Sequence, residues 1–225
     1  MGARFGGARQ ATRRAALALI VVLLGGCGPV VTAQWRMNET SGTTMVDSAG
    51  DNDGRITDVA LGQPGHTGTA YGFNGTSSIV RVPDASELDP GSGNFSYGAW
   101  VNFTKLPPPE TWDIVRKGIS GSAGGYYKLE LFSGNGGARA SCYFRDGRGT
   151  SISVVKGSGL SDGSWHQLTC SRVGNSFRIT VDGATSTNEK SLGGIANGDG
   201  LTVGAKPTGG DVFDGRIDDV QITKG

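Results

Sequence analysis

The chain has 225 residues, of which 40 are Gly and 8 are Pro, with 36% hydrophobic and 18% charged. The glycines follow no G-X-Y period, which excludes collagen, and 21 basic against 20 acidic residues leave a net charge of +1, which excludes the strong field that a nucleic-acid or acidic-surface binder carries. Scattered between short alternating runs, the glycines read as turns of an all-β domain, and the roughly 190 residues left after a leader suit a single core.

The leader comes first in chain order. Arg4, Arg9, Arg13 and Arg14 precede an apolar run from Ala15 to Leu24, and there is no acid among the first 38 residues. A cationic segment followed by about ten apolar residues is an export signal, and is too short for the roughly 20 residues of a spanning helix. Its end, Leu24-Gly25-Gly26-Cys27, resembles the bacterial lipobox. Residues 1–27 therefore read as a signal peptide ending in a lipidated Cys27, and 28–33 as a short linker before a domain over 34–225. The alternative is ordinary signal-peptidase cleavage after Val31-Thr32-Ala33, giving a secreted protein. Thr12-Arg13-Arg14-Ala15-Ala16-Leu17 also resembles a twin-arginine export signal.

Beyond residue 30 no stretch holds a helical period. Gln34 to Met37 is a short strand candidate, and Glu39 to Gly54 is polar and turn-rich. Ala70 to Phe73 and Ile79 to Val82 bracket Asn74-Gly75, a hairpin signal. In Phe95 to Phe103 the odd positions are apolar and the even ones, including Trp100, lie on the other face. The run Leu106 to Thr111, with three prolines, cannot continue a central strand and reads as an exposed connection. Trp112 to Lys117, Tyr126 to Phe132, Ala138 to Arg145 and Ser151 to Lys156 follow as strands separated by glycine-rich turns. From Asp162 to Gly183 two alternating runs flank Gly174-Asn175, a hairpin in which Gly and Asn accept positive φ. Leu201 to Val203 and Val212 to Ile222 complete about a dozen strands, the pattern of an antiparallel sandwich.

Parity adds detail. Cys142 shares a face with Ala138, Ala140 and Phe144, and Cys170 with Leu168, so both point inward. In the oxidising space that export implies, they are expected to bridge neighbouring strands, contributing about 3–4 kcal/mol by loop closure. A mass shift of two hydrogens on reduction separates this bridge from two buried free thiols. In the last strand the apolar parity changes between Ile217 and Val220, the mark of a β-bulge at Asp218-Asp219 that turns a carboxylate toward a neighbouring loop.

Four motifs then stand in order: Phe73-Asn74-Gly75 with Ile79-Val80-Arg81-Val82-Pro83 after it, Asp162-Gly163-Ser164-Trp165-His166, Val181-Asp182-Gly183, and Phe213-Asp214-Gly215-Arg216-Ile217-Asp218-Asp219-Val220-Gln221-Ile222. Together they resemble the bacterial laminin-G-like, concanavalin A-like jelly-roll domain over about residues 34–223. The resemblance implies an all-β, two-sheet antiparallel jelly-roll sandwich whose first and last strands pair, frequently with Ca²⁺ and frequently binding carbohydrate or protein.

Relatives of this fold include glycosidases that carry alternating carboxylates on one strand, about 5 Å apart for retaining chemistry. Here Glu130 has no second acid at i+2 or i+4, and Asp218 and Asp219 are adjacent, so no catalytic role is expected. His166 lacks a nucleophile motif and reads as structural. Asp47, in a loop that resembles the family's after the first strand, together with Asp218 and Asp219, is the candidate for structural Ca²⁺; its rival is a solvated Asx-turn loop. For ligand binding the candidates are Trp112 on a rim after the prolines, Trp100 on the non-core face, and Tyr126 and Tyr127. The expectation is a non-catalytic, cell-surface binding module for carbohydrate, or alternatively for an extracellular protein; a divergent glycoside hydrolase is the third reading.

Overall fold

The computed structural model describes Gly2, residues 28–105, Pro107 and residues 111–225. Cys27 and, apart from Gly2, the predicted leader lie outside the described residues, as does most of the proline run. In chain order the described strands are β1 (Val30–Trp35), β2 (Thr44–Met45), β3 (Gly54–Thr57), β4 (Ala60–Pro64), β5 (Thr69–Asn74), β6 (Ile79–Val82), β7 (Phe95–Asn102), β8 (Trp112–Lys117), β9 (Gly125–Gly134), β10 (Gly137–Asp146), β11 (Ser151–Lys156), β12 (Trp165–Val173), β13 (Ser176–Val181), β14 (Ala184–Glu189), β15 (Leu201–Val203) and β16 (Asp214–Lys224). The one helical turn among them is a 3₁₀ segment at Ser86–Leu88. Among the described residues no helix is long and apolar enough to cross a membrane.

Two antiparallel sheets face each other, as the alternating runs require. The first has the order β14-β13-β12-β7-β16-β5-β4, with β1 also on β16; the second runs β11-β10-β9-β8-β15-β6-β3-β2. Their inner faces form one core, in which Phe95, Tyr97, Tyr127, Phe144 and Phe177 pack with ring centroids 4.7 to 5.9 Å apart. The hydroxyls buried with them are satisfied, Tyr97 donating to Lys128 O and Tyr127 to Leu88 O, both at 2.9 Å.

Several expectations change here. The Asn74-Gly75 turn is not a hairpin: β5 pairs with β4 and β16 in one sheet, β6 with β3 and β15 in the other. Asn74 Oδ1 accepts from the N–H groups of Thr76, Ser77 and Ser78, an Asx turn that lets the chain change sheets. Cys142 and Cys170 are joined, but β10 and β12 belong to different sheets, so the bridge spans the core rather than neighbouring strands. The predicted linker is partly strand, since Val30, Val31 and Ala33 pair with Lys224, Thr223 and Ile222. The hairpin β12–β13 forms around Gly174, whose φ is 60°, and His166 ties its two ends by bonding Asp182 at 2.7 Å and Asp162 at 3.2 Å.

The strand that organises the first sheet is β16. Along one edge it pairs with β7; along the other it carries β5 on its first half, Asp214 to Ile217, and β1 on its second half, Val220 to Lys224. Between the halves lies the expected bulge, with a register shift from Asp218 to Gln221 and Asp219 at φ 47°.

Candidate functional site

A groove of about 370 Å³ lies on the outer face of the first sheet, over β1, β7, β12 and β16. Its placement follows from pleat alternation. The odd positions of β7 fill the core, so Ser96, Gly98, Trp100 and Asn102 face out, and the cross-strand partners of Trp100 are Gln167 on β12 and Asp218 on β16. Gly98 forms the dip beside Trp100; a Cβ there would come within 2.3 Å of Leu168 O, so backbone packing demands glycine. Gln34, Gln167, Gln221 and Thr169 supply amides and a hydroxyl around the dip, and Arg36 and Asp219 add one charge of each sign.

Trp100 is the aromatic ring on the groove, and a cluster outside the lining holds it. The His66 ring stacks on Trp100 with centroids 3.6 Å apart and planes at 11°, and meets Trp165 edge-on at 6.3 Å. The Arg216 guanidinium lies 5.4 Å from the Trp165 centroid and donates to Asn102 Oδ1 at 2.7 Å and Pro64 O at 2.8 Å. These contacts fix the orientation of the Trp100 and Trp165 rings.

The bulge positions this cluster. Asp218 is fully buried, and its carboxylate accepts the N–H groups of His66 at 2.8 Å, Thr67 at 3.0 Å and Asp219 at 2.9 Å. It thereby clasps the 65–68 loop into the gap between β5 and β1. Burial holds the Asp218 carboxyl above its ordinary value, the Thr67 and His66 donors offset part of that, and the Asp219 charge adds to it. Asp219 is itself raised by burial, partly offset by the charges of Arg36 and His66.

The four aromatics expected to bind ligand are not one site. Trp100 lines the groove. Trp112 is not on a rim: it is 5% exposed and packs edge-on against Phe103 and Phe213 at 5.9 and 5.5 Å. Tyr127 is in the core at 0% exposure. Tyr126 is on the outer face of the second sheet, 7% exposed and stacked on Tyr143 at 5.1 Å, so it faces away from Trp100. Sequence reasoning missed His66 and Trp165 as the rings packed beside Trp100; the parity of β12 marks Trp165, Gln167 and Thr169 as one outer row, whereas no local signal places His66.

Of the three aspartates considered for Ca²⁺, Asp47 and Asp218 are each engaged by their own N–H donors. Asp47 accepts from Gln34 N, Ala49 N, Asn52 N and Asn52 Nδ2 at 2.9 to 3.2 Å, so both oxygens are taken by N–H donors. Burial alone would raise its carboxyl; these donors outweigh that and hold it below the ordinary value. Asp218 is engaged separately, by its own three N–H groups. Among the described residues no three His, Cys, Asp or Glu side chains group together.

A family model of the laminin G type, described as the Concanavalin A-like lectin/glucanases superfamily, matches residues 74–225. No curated protein sequence matches the chain. Among solved structures it is similar to the binding domain of Paraclostridial Mosquitocidal Protein 1, with a TM-score of 0.68, 14% identity, and coverage of 86% of this chain and 48% of that one. It is also similar to the binding domain of botulinum neurotoxin serotype D, at 0.66 and 16%, covering 85% and 47%. Domain 4 of AbnA, a GH43 extracellular arabinanase from Geobacillus stearothermophilus solved with arabinotriose, is similar at 0.58 and 18%, covering 88% and 93%. The chain thus spans about half the length of the two toxin domains and nearly the whole of the arabinanase domain. At these identities the likeness is one of fold. With its two facing antiparallel sheets and a family match over more than half its length, the chain belongs to the Concanavalin A-like lectin/glucanases superfamily.

Proposed function

We propose that this protein is a non-catalytic carbohydrate-binding module, and that the groove over β7, β12, β16 and β1 takes a neutral, polyhydroxylated ligand. The observation that carries this reading is Trp100, held in place by its stack on His66, beside the Gly98 dip and ringed by glutamines. An aromatic ring suits the apolar face of a sugar, and amide and hydroxyl groups pair with its hydroxyls. Arg36 and Asp219 offset each other, so the groove has no excess charge to select an acidic ligand.

Binding rather than hydrolysis is supported by the carboxylates. A glycosidase places two free carboxyl groups across the scissile bond. Here Asp219 lines the groove while the oxygens of Asp218 are held by three backbone donors. That domain 4 of the arabinanase was solved with arabinotriose is consistent with a saccharide ligand on this fold.

The protein is further proposed to be exported and anchored through Cys27. Ala33 is buried and pairs with Ile222, so cleavage after Ala33 would remove most of β1 from the sheet. Maturation upstream of β1, as at the lipobox-like Cys27, leaves that strand whole.

The test is retention of the purified protein on a panel of neutral polysaccharides. Trp100→Ala is expected to weaken binding by about tenfold or more, a loss of roughly 1.4 kcal/mol, with the thermal melt unchanged. Equal retention of wild type and variant would sink the assignment to this groove.

A further inference from the structure

The outer face of the second sheet carries a row of directly opposed residues: Arg55 on β3, Arg81 on β6, Thr202 on β15, Arg116 on β8 and Lys128 on β9. Four of these five are cations, and like charges directly opposite each other are unfavourable in a sheet. Arg116 and Lys128 are compensated. Arg116 bonds Asp113 at 2.7 Å, and Lys128 is paired with Glu130.

Arg55 and Arg81 are not. Among the described residues neither has an ion-pair partner, and Arg81 Nη2 has only Pro207 O, at 3.5 Å. Both side chains are exposed, and both border two adjoining clefts of about 550 and 410 Å³. The acids in those clefts have partners of their own. Asp84 pairs with the buried Lys117 ammonium at 2.7 Å, Asp199 accepts the Ser122 hydroxyl, and Asp53 accepts Asp47 N at 2.8 Å.

We infer that the Arg55–Arg81 pair is a second binding site, for an oxyanion, sulfate or carboxylate, borne on a saccharide. Two arginines on facing residues, with Cβ atoms about 5 Å apart, can bring their planar forks onto a single oxyanion. An acidic peptide strand instead presents like charges about 7 Å apart and needs cations repeated along a strand, whereas β3 and β6 hold one each. Beside the charge, Pro83, Ile119 and Pro207 form an apolar wall for a ring, and the exposed Thr208 borders it with a hydroxyl. This site is on the opposite sheet from the Trp100 groove and does not depend on it.

The experiment is calorimetric titration of the full-length protein with one oligosaccharide in neutral, sulfated and uronate forms, at physiological salt. Wild type is expected to bind a charged form at least about tenfold tighter than the neutral one. Arg81→Glu is expected to abolish that preference without lowering the melting temperature, because it replaces a like-charge pair with an opposite one. Trp100→Ala should leave the preference intact, which separates this site from the groove. The inference is overturned if no charged form is preferred, if Arg81→Glu retains the preference, or if an acidic peptide binds the pair more tightly than every charged saccharide. Sulfate-only or uronate-only preference identifies which oxyanion the site takes.

Discussion

At the scale of single residues, two tryptophans with similar local surroundings have opposite fates. Trp100 follows the parity of its strand and faces out, while Trp112 opens β8 and turns into the core against Phe103 and Phe213. Trp112→Ala should therefore cost about 3–5 kcal/mol in urea unfolding, the range for deleting a buried aromatic, and affect binding only through stability. Asp47 shows the same dependence on context in its charge. Its carboxyl is held below the ordinary value of about 3.9, so its contribution is complete above that pH and is lost as the pH falls through the folded value. Wild type should lose stability on going from pH 5 to pH 3, and Asp47→Asn should lose less over the same interval while being weaker at pH 7. Asp218 and Asp219, being raised, work with the opposite sign: their share of stability grows on acidification and falls as the pH rises through their folded values. A pH series of melts on wild type and Asp47→Asn measures the difference directly.

At the scale of elements, β16 decides where the groove is. A regular strand would point Asp218 and Asp219 to opposite faces; the bulge buries Asp218 under the 65–68 loop and leaves Asp219 at the groove. Asp218→Ala would remove the acceptor of three part-buried N–H groups, a loss of at most about 1–3 kcal/mol for each one left unsatisfied, and would release His66 from its stack on Trp100. The expected outcome is a lower melting temperature together with weaker glycan retention; full retention would show that the loop is held by other contacts. The parity break was legible in the residues, and so was the bulge. The loop it holds was not, because the bond from Asp218 to His66 crosses 152 positions of sequence. The hairpin at Gly174 was legible for the converse reason, since its turn and both strands are contiguous. The similar signal at Asn74-Gly75 misled because an Asx turn serves equally to leave a sheet. Strand β14, ATSTNE, has no apolar alternation to read; it is an exposed edge strand paired on one side with β13.

At the scale of the whole molecule, the two sheets are joined by packing, by the chain that passes between them and by a disulfide. Cys142–Cys170 closes a separation of 28 residues across the core, so its removal should cost about 3–4 kcal/mol in the loop-entropy account. Reduction, or the double substitution of Cys142 and Cys170 by Ser, should lower the unfolding midpoint by that amount while the remaining fold and glycan retention persist under native conditions. At one end Lys117, fully buried, is bonded to Asp84 at 2.7 Å and Asp89 at 2.8 Å, so its buried ammonium is compensated. The two outer faces differ in chemistry: the first sheet presents the aromatic and amide groove, the second the unpaired arginines.

Alternation of apolar and polar residues, with glycine at turns, was enough to determine the class of fold and the inward direction of both cysteines, because side-chain direction in a strand repeats every two residues. The core-facing parity of β7 and the bulge in β16 belong to the same category. What only the tertiary structure decided is which strands become neighbours, and with that the partner of each outward residue. Pairing in an antiparallel sandwich joins positions far apart in the chain, so Trp100 meets His66, Arg55 meets Arg81 and Trp112 meets Phe213 only in the folded molecule.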